Sequence, residues 1–233
     1  MLKAEGPPMK ILVADDDSDL LLLLRFSLTQ AGYQVIAVSD GASAIDAFAR
    51  EAPDFALLDV NMPGSSGFQV CRAIRESSTI PVMMLTVRNQ EEDLVNALEI
   101  GADDYVTKPF SPRSLIARIR ALSRRTEPTA VKTLFVGNLE LDGEKSTLKI
   151  GSAVPLTLTA LELKMMYALM SVAGRTLSAD KLLGQVWGRS GSSERQALKQ
   201  LIYRLRAKLR NAGASDELLA TSPGAGYRLV VKD

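Results

Sequence analysis

Histidine is absent from the 233-residue chain, and cysteine and tryptophan occur once each. Without histidine, the chain itself cannot supply a histidine nucleophile, general base or metal ligand. The lone Cys71 cannot form an intrachain disulfide, so we expect a reducing, cytoplasmic environment. No apolar run approaches the roughly 18 residues that a membrane-spanning helix needs, and the N-terminus lacks a signal-peptide core, so we expect neither membrane association nor secretion.

Charge is nearly balanced over the whole chain, with a formal net charge of +1, but it is unevenly distributed. Residues 1–125 contain 13 basic and 17 acidic residues, a net of −4, whereas residues 126–233 contain 15 basic and 10 acidic residues, a net of +5. An acidic half joined to a basic half indicates two tasks, and the basic half is a candidate for binding nucleic acid.

The first half alternates short apolar runs with amphipathic segments. The candidate strands are Ile11–Ala14, Gln34–Val38, Phe55–Leu58, Val82–Leu85 and Tyr105–Thr107. The candidate helices are Leu20–Gln30, Ala42–Arg50, Phe68–Arg75, Glu91–Ile100 and Ser114–Arg125. Strict alternation predicts an α/β domain over residues 9–125, with a five-stranded, doubly wound parallel sheet. Residues 126–132 contain a proline and no apolar periodicity, and we interpret them as a linker.

Residues 133–233 have a different pattern, which predicts an α+β domain. Short strands are expected at Leu139–Leu141, Thr147–Ile150 and Val154–Leu156, and a hairpin at Thr221–Val231. Helices are expected at 159–172, 178–186 and 194–210, and Thr159 and Glu162 have the spacing of a capping box. Helices followed by a glycine-bearing hairpin predict a winged helix-turn-helix.

Acidic residues follow two of the predicted parallel strands at the point where each strand ends. Asp15 and Asp16 follow the first strand, and Asp59 follows the third. Because functional groups in an open parallel sheet gather outside the carboxyl ends of the strands, we expect these side chains to meet. Packed carboxylates repel one another, and Mg²⁺ would relieve that repulsion through Asp15, Asp16, Asp59 and the backbone near Asn61.

Two further polar residues, Thr86 and Lys108, follow the fourth and fifth strands and should reach the same crevice. A hydroxyl and an ammonium beside a metal-bound carboxylate suit phosphoryl transfer. Asp59 would be the nucleophile and form an acyl phosphate, while Lys108 and Thr86 would contact the phosphoryl oxygens. The alternative, that the acidic run only caps the following helix, fits Asp17 and Asp19 best.

The segments ILVADDD, LLDVNMPGSSG, MLT and GADDYVTKPF resemble the receiver domain of bacterial response regulators. The resemblance implies the same roles for these residues: Asp59 as phosphoacceptor, Asp15 and Asp16 as metal ligands, and Thr86 and Lys108 as phosphoryl contacts. Since the chain has no histidine, the phosphoryl group must come from outside, and the resemblance implies a sensor histidine kinase as its donor.

The same resemblance implies a cis peptide bond at Lys108–Pro109. It also implies that Tyr105 is a switch residue that turns inward with Thr86; the alternative is an ordinary half-buried tyrosine. Val87 departs from the pattern, because a small alanine usually follows the threonine in this family.

The predicted helix 194–210 carries the strongest signal for DNA binding, because it contains six basic residues from 195 to 210 and no acid. Its apolar stripe consists of Leu198, Leu201, Ile202, Leu205 and Leu209. Its polar face includes the candidate DNA contacts Arg195, Gln196, Lys199, Gln200, Tyr203, Arg204 and Arg206. Such a helix can bury one side and offer the other to a major groove, although a solvated basic face is the alternative.

The segments LTLTALE, LLGQVWG, LIYRLRAKLR and TSPGAGYRL resemble the effector domain of OmpR/PhoB-type response regulators. The resemblance implies that the basic helix enters the major groove of double-stranded DNA, while Thr221 and Arg228 of the hairpin lie at the adjacent minor groove. Tandem half-sites are expected. Trp187 either fits a loop position facing DNA or RNA polymerase, a further candidate partner, or anchors the core.

A mixed-charge face is expected where the predicted fourth helix, fifth strand and fifth helix of the first half meet. Its residues are Glu99, Asp103, Asp104, Arg118 and Arg120. Reciprocal salt bridges across such a face can close a two-fold homodimer. The resemblance implies that this is the dimer surface formed on phosphorylation, with Asp104 and Arg118 matching one of its pairs.

Two other functions fit parts of the sequence. An aspartate-nucleophile phosphatase would also use magnesium and a lysine, but it needs a carboxylate two residues after the nucleophile, where this chain has Asn61. A receiver that ignores phosphate and binds DNA constitutively would not need the complete acidic set. We therefore expect a phosphorylation-regulated transcription regulator of a two-component system and no enzyme.

Overall fold

The computed structural model describes residues 7–87, 100–123, 133–172, 174–188 and 192–231, with the side chains of 192–194 not described. The chain divides into two compact units, residues 1–120 and 121–233. The predicted linker 126–132 and all but the last residue of the predicted helix Glu91–Ile100 lie outside the described residues. None of the described helices is both long and apolar enough to cross a bilayer.

The first unit is a five-stranded sheet in which every pairing is parallel. Its strands are β1 (Lys10–Ala14), β2 (Gln34–Val38), β3 (Phe55–Asp59), β4 (Val82–Thr86) and β5 (Asp104–Thr107). Its described helices are α1 (Ser18–Gln30), α2 (Gly41–Glu51), α3 (Gly67–Ser77) and α4 (Pro112–Ser123). The doubly wound parallel sheet predicted from the alternating pattern is confirmed.

The strand order is β2-β1-β3-β4-β5, so the chain moves outward from β1 in both directions. A crevice forms at such a reversal, outside the carboxyl ends of the strands. Strands β3 and β4 are buried along their whole length, which explains why they read as continuous apolar runs without alternation. Asp15, which follows β1, and Asp59, the last residue of β3, therefore lie at the mouth of this crevice.

The second unit has a four-stranded antiparallel sheet, three helices and a hairpin. The sheet consists of β6 (Leu134–Val136), β7 (Leu139–Asp142), β8 (Thr147–Ile150) and β9 (Leu156–Thr157). The helices are α5 (Ala160–Met170), α6 (Ala179–Trp187) and α7 (Ser192–Asn211), and the hairpin is β10 (Leu219–Ser222) with β11 (Gly226–Leu229). The predicted winged helix-turn-helix is confirmed.

Two details of this sheet differ from the sequence-based expectation. Strand β6 was not predicted, because its three consecutive apolar residues show no alternation. In the structure, its central residue Phe135 is 66% exposed. Strand β9 begins at Leu156 and not at Val154, which is 86% exposed. Pro155 lies between them and lacks the N–H group that a sheet ladder needs.

The predicted capping box at the start of α5 is present. The Glu162 side chain accepts a hydrogen bond from the Thr159 N–H at 2.8 Å, and the Thr159 hydroxyl accepts one from the Glu162 N–H at 3.4 Å. Lys208 of α7 also donates to Glu162 at 2.8 Å, which ties α7 to α5. Every residue of the predicted apolar stripe of α7 is buried.

Candidate functional site

A buried lysine–carboxylate cluster lies at the carboxyl edge of the parallel sheet. The Lys108 ammonium is 2.7 Å from Oδ2 of Asp15 and 2.7 Å from Oδ1 of Asp59. Asp15 is fully buried and Asp59 is 3% exposed. Residues far apart in sequence therefore meet where the order of the strands predicted that they would.

Local backbone structure fixes the direction of both carboxylates. Oδ1 of Asp15 accepts a hydrogen bond from the Asp17 N–H at 3.1 Å, and Oδ2 of Asp59 accepts one from the Asn61 N–H at 2.7 Å. Asp17 caps α1 and accepts from the N–H groups of Asp19 and Leu20. The helix-cap interpretation of Asp17 is therefore confirmed, while Asp15 points into the crevice.

Burial and pairing have opposite effects on the titration of this cluster. Burial raises the pKa of Asp59 above its ordinary value, and the nearby Lys108 opposes that shift only in part. Burial alone would lower the pKa of Lys108, but hydrogen bonds to Asp15 and Asp59 outweigh it and raise the pKa. Lys108 therefore remains an ammonium at neutral pH and supplies the positive charge inside the crevice.

The remaining predicted site residues surround this cluster at different depths. Thr86 ends β4 and is 5% exposed, and its carbonyl accepts a hydrogen bond from the Lys108 N–H at 2.7 Å. Asp16 and Asn61 are exposed, next in sequence to the buried carboxylate of Asp15 and close to Asp59. The described part of the chain contains no ready-made cluster of three or more carboxylate or thiol ligands.

The chemistry of the donor set nevertheless fits a divalent cation. Asp15, Asp16 and Asp59 contribute three negative charges and Lys108 one positive charge, which leaves a net charge of −2. Oδ2 of Asp15 and Oδ1 of Asp59 each lie 2.7 Å from the same ammonium, so these two carboxylate oxygens are close to each other. Mg²⁺ prefers oxygen ligands and retains several waters in its coordination shell. Two buried carboxylates would provide such ligands, and the exposed side of the crevice would leave space for the waters.

One feature implied by the resemblance, a cis peptide bond, is present in the loop after β5. The Lys108–Pro109 peptide bond is cis. Tyr105, within β5, is half-buried and packs against the hydrophobic core of the first unit. Val87 follows Thr86 and is 62% exposed, so its additional bulk lies towards solvent.

The structure changes the interpretation of the predicted dimer face. Asp103 is 2% exposed, and its carboxylate is bound to Arg75 of α3 at 2.7 Å, so the expectation that it offers a surface charge is wrong. Asp104 is 7% exposed and pairs with Arg118 of the same chain at 3.3 Å. Arg120 is exposed, and Glu99 lies outside the described residues.

The polar side of α7 presents the predicted DNA-contacting residues to different extents. Arg195, Lys199 and Tyr203 are exposed, and Tyr203 is 64% exposed. Gln196, Gln200 and Arg204 are half-buried. On the hairpin, Thr221 and Arg228 are exposed. Arg195 also pairs with Asp180 of α6 at 2.6 Å, so this arginine has a partner within the domain.

Two residues of the second unit have placements that the sequence alone did not decide. The Arg206 guanidinium points to the hairpin, where Nε donates to the Leu219 carbonyl at 2.9 Å and Nη2 donates to the Thr221 hydroxyl at 2.7 Å. It is therefore not free to read a base edge with those groups. Trp187 is 3% exposed, which supports the core-anchor alternative and not a loop position facing a partner.

Sequence reasoning missed two residues that shape the first site. A side chain on Gly67 would collide with the Asp59 carbonyl, so only glycine lets α3 begin this close to the phosphoacceptor candidate. The signal was present in the glycines of the segment after Asp59. Arg75 holds the segment before β5, but in the sequence it is an ordinary basic residue in the last turn of a helix.

Comparisons with known proteins agree with this arrangement. Residues 11–120 match the response regulator receiver domain family, and residues 153–229 match the C-terminal domain family of transcriptional regulatory proteins. The chain is 40% identical over 223 residues to the phosphate regulon transcriptional regulatory protein PhoB of Escherichia coli, covering 94% of this chain and 96% of that protein. It is 37% identical over 221 residues to the DNA-binding response regulator MtrA of Mycolicibacterium smegmatis, covering 94% and 96% respectively.

Two solved structures are similar to the chain over most of its length. A RitR mutant matches with a TM-score of 0.74 and 26% identity over 96% of this chain and all of that one. The response regulator DrrB of Thermotoga maritima, described as an OmpR/PhoB homolog, matches with a TM-score of 0.51 and 30% identity over 95% of this chain and 99% of that one. The chain therefore belongs to the OmpR/PhoB-type response regulators, the phosphorylation-regulated transcription regulators of two-component systems, which implies a kinase and DNA as its partners.

Proposed function

We propose that Asp59 accepts a phosphoryl group from a sensor histidine kinase and that this event controls DNA binding by the second unit. The observation that carries the proposal is the ammonium of Lys108 shared between Asp15 and Asp59 in a buried crevice. The domain limits that we propose are residues 9–125 for the receiver, 126–132 for the linker and 133–233 for the winged helix.

The chemistry follows from the groups in the crevice. An oxygen of the Asp59 carboxylate attacks phosphorus, the P–O bond forms, and the P–N bond to the donor histidine breaks as that histidine leaves with a proton from solvent. Lys108 then donates to the phosphoryl oxygens, and the Thr86 hydroxyl donates a further hydrogen bond. Mg²⁺, held by Asp15, Asp16, Asp59 and the Asn61 carbonyl, would supply positive charge against these oxygens.

A change in packing would carry the signal away from the phosphorylated residue. Movement of Thr86 towards the phosphoryl group would leave space into which half-buried Tyr105 can turn, which is a shift between two populations. The face that includes Asp104, Arg118 and Arg120 would then close a homodimer. Because Asp104 already pairs with Arg118 within the chain, the dimer would exchange an internal pair for a reciprocal one.

We assign the DNA face to the exposed part of α7 and to the hairpin. The direct contacts that we propose are Arg195, Gln196, Lys199, Gln200, Tyr203 and Arg204 on the helix, and Thr221 and Arg228 on the hairpin. Their exposure supports the assignment for Lys199, Tyr203 and Arg228, while the half-buried glutamines can reach a groove only with their ends. RNA polymerase is a further candidate partner, although buried Trp187 is not part of its proposed contact.

The proposed phosphodonor, a sensor histidine kinase, is another protein, and α1 offers a surface for it. Leu22, Leu23 and Phe26 are 69%, 47% and 65% exposed, respectively, on a helix whose cap, Asp17, follows the acidic cluster. At a rise of 1.5 Å per residue, Leu22 and Phe26 lie about 7.5 and 13.5 Å along the helix from that cap. We propose that this apolar face contacts the kinase during transfer.

Labelling by a small-molecule phosphodonor tests the assignment of Asp59. With acetyl phosphate and Mg²⁺, intact-protein mass spectrometry should show one added phosphoryl group on the wild-type chain and none on Asp59→Asn. Asp54→Asn is a matched control, since Asp54 is an exposed carboxylate before β3 that hydrogen-bonds to the Lys10 N–H. Equal labelling of Asp59→Asn and the wild type would refute the assignment.

A further inference from the structure

The hairpin of the second unit is attached to the rest of its domain through both strands. On β11, Tyr227 exchanges two backbone hydrogen bonds with Leu177, at 2.8 and 2.9 Å. Gly226 packs so closely that a side chain there would collide with the Leu177 carbonyl. This strand is therefore held by backbone contacts that depend on no long side chain.

On β10 the attachment comprises one hydrogen bond between the Ser222 and Thr176 hydroxyls at 3.3 Å and two donated by an arginine side chain of α7. Arg206 donates from Nε to the Leu219 carbonyl at 2.9 Å and from Nη2 to the Thr221 hydroxyl at 2.7 Å. These are two separate acceptors on one strand, and the planar fork of a guanidinium can reach both at once. A lysine has one ammonium at the end of a flexible stem and cannot reproduce this pair.

The position of Arg206 on the helix gives this contact its consequence. At about 100° per residue, Arg206 lies on the same side of α7 as Lys199 and Tyr203, which are exposed. The helix that offers these side chains to DNA therefore also holds the strand next to the hairpin tip. Any tilt of the hairpin relative to α7 must stretch one of the two Arg206 bonds.

We propose that Arg206 is a positioning residue that sets the angle between the hairpin and α7 before DNA is bound. The inference rests on the proposed DNA face. Arg206 acts through Thr221 and Arg228, which it brings to the minor groove while α7 occupies the major groove. Binding by a hairpin that is already ordered avoids the entropic cost of ordering it on the DNA.

The test is a mutant cycle between Arg206 and Arg228, read out as affinity for a double-stranded fragment selected from a random pool. Arg206→Ala should weaken binding roughly tenfold, the equivalent of about 1.4 kcal/mol, as expected when hydrogen bonds from a charged donor are lost. In an Arg228→Ala background the same substitution should weaken binding less than about threefold, because the charged contact of the hairpin is already lost. Equal losses in both backgrounds would mean that Arg206 contacts DNA itself and would overturn the proposal.

Arg206→Lys separates geometry from charge. The proposal expects this variant to bind as weakly as Arg206→Ala, whereas full rescue by lysine would overturn it. In the free protein, the β10 and β11 amides should exchange with solvent faster in both variants, and unchanged exchange would also overturn it. Fluorescence of Trp187, the only tryptophan in the chain and buried in the same unit, verifies that each variant is folded.

Lys199→Ala is the matched control on the same helix. It should weaken DNA binding by the same factor with or without Arg228 and leave hairpin exchange unchanged. If Lys199→Ala has no effect on affinity, the assignment of the DNA face is wrong. The hydrogen-exchange measurement on the Arg206 variants then still decides whether this residue holds the hairpin.

Discussion

Replacing Arg75 by methionine should destabilise the first unit much more than replacing any exposed arginine. The Arg75 guanidinium makes three contacts: Nε to the Gly101 carbonyl at 2.9 Å, Nη1 to the Ile80 carbonyl at 2.6 Å, and Nη2 to the Asp103 carboxylate at 2.7 Å. Asp103 also accepts the Val82 N–H at 2.9 Å. One side chain of α3 thus holds the segments that lead into β4 and β5.

The magnitude follows from the burial of this ion pair. The Arg75 side chain is 13% exposed and the Asp103 side chain 3%, so water cannot replace the lost partner effectively. Removing one member of a buried pair costs about 3–5 kcal/mol, because the other charge remains buried. For a unit of this size we expect the unfolding midpoint to fall by roughly 10–20 °C.

The assay can follow each unit separately. Trp187 is the only tryptophan and lies in the second unit, so its fluorescence reports unfolding there, while far-UV circular dichroism reports both units. Arg75→Met should lower the midpoint of the first transition and leave the fluorescence transition in place. Arg72→Met, one turn earlier on α3 and exposed, should change stability by less than about 0.5 kcal/mol.

Two results would refute this reasoning. A loss below about 1 kcal/mol for Arg75→Met would mean that the pair is effectively solvated. Equal effects of Arg75→Met and Arg72→Met would mean that burial of the pair does not determine its contribution.

Three further predictions concern DNA, the kinase and close packing at the site. In fluorescence anisotropy titrations, the logarithm of DNA affinity should fall linearly with the logarithm of salt concentration. Lys199→Ala should reduce the magnitude of that slope by about 0.9, because one phosphate contact is lost. An unchanged slope would contradict this. Phe26→Ser should slow phosphoryl transfer from a phosphorylated kinase domain but not labelling by acetyl phosphate. Val154→Ser, at an exposed apolar residue of the second unit, is the control and should slow neither reaction. Equal slowing of both reactions by Phe26→Ser would exclude a docking role. Gly67→Ala should lower the free energy of unfolding in urea by about 1–3 kcal/mol, because its Cβ would collide with the Asp59 carbonyl. Gly184→Ala, which has open space around it on α6, should leave stability unchanged or raise it. Equal effects of the two substitutions would rule out the close approach at Gly67.

The crevice could be predicted from sequence because it depends on strand ends. Apolar runs locate β1, β3, β4 and β5, and parallel order places the residues after them along one edge. Asp15, Asp59 and Lys108 meet for that reason. The capping box of α5 was equally local, since Thr159 and Glu162 are three residues apart and need no tertiary partner.

Partners that are distant in sequence and have no periodic signal could not be predicted. The sequence pattern assigns both Arg206 and Thr221 to the DNA-binding surface. In the structure, the Arg206 side chain instead points to the hairpin and donates a hydrogen bond to Thr221. In the sequence, Asp103 and its neighbour Asp104 resemble an exposed acidic pair. In the structure, Asp103 is buried and forms an ion pair with Arg75 of α3. Helical periodicity says which side a residue faces, but it does not say which neighbour the end of a long side chain reaches.

DNA affinity before and after phosphorylation tests the central claim most directly. The wild-type chain, treated with acetyl phosphate and Mg²⁺, should bind a selected double-stranded fragment with two half-sites more tightly than the untreated chain. Asp59→Asn should bind equally with and without treatment. If the wild type shows the same affinity in both states while carrying a phosphoryl group on Asp59, phosphorylation does not govern the DNA-binding unit.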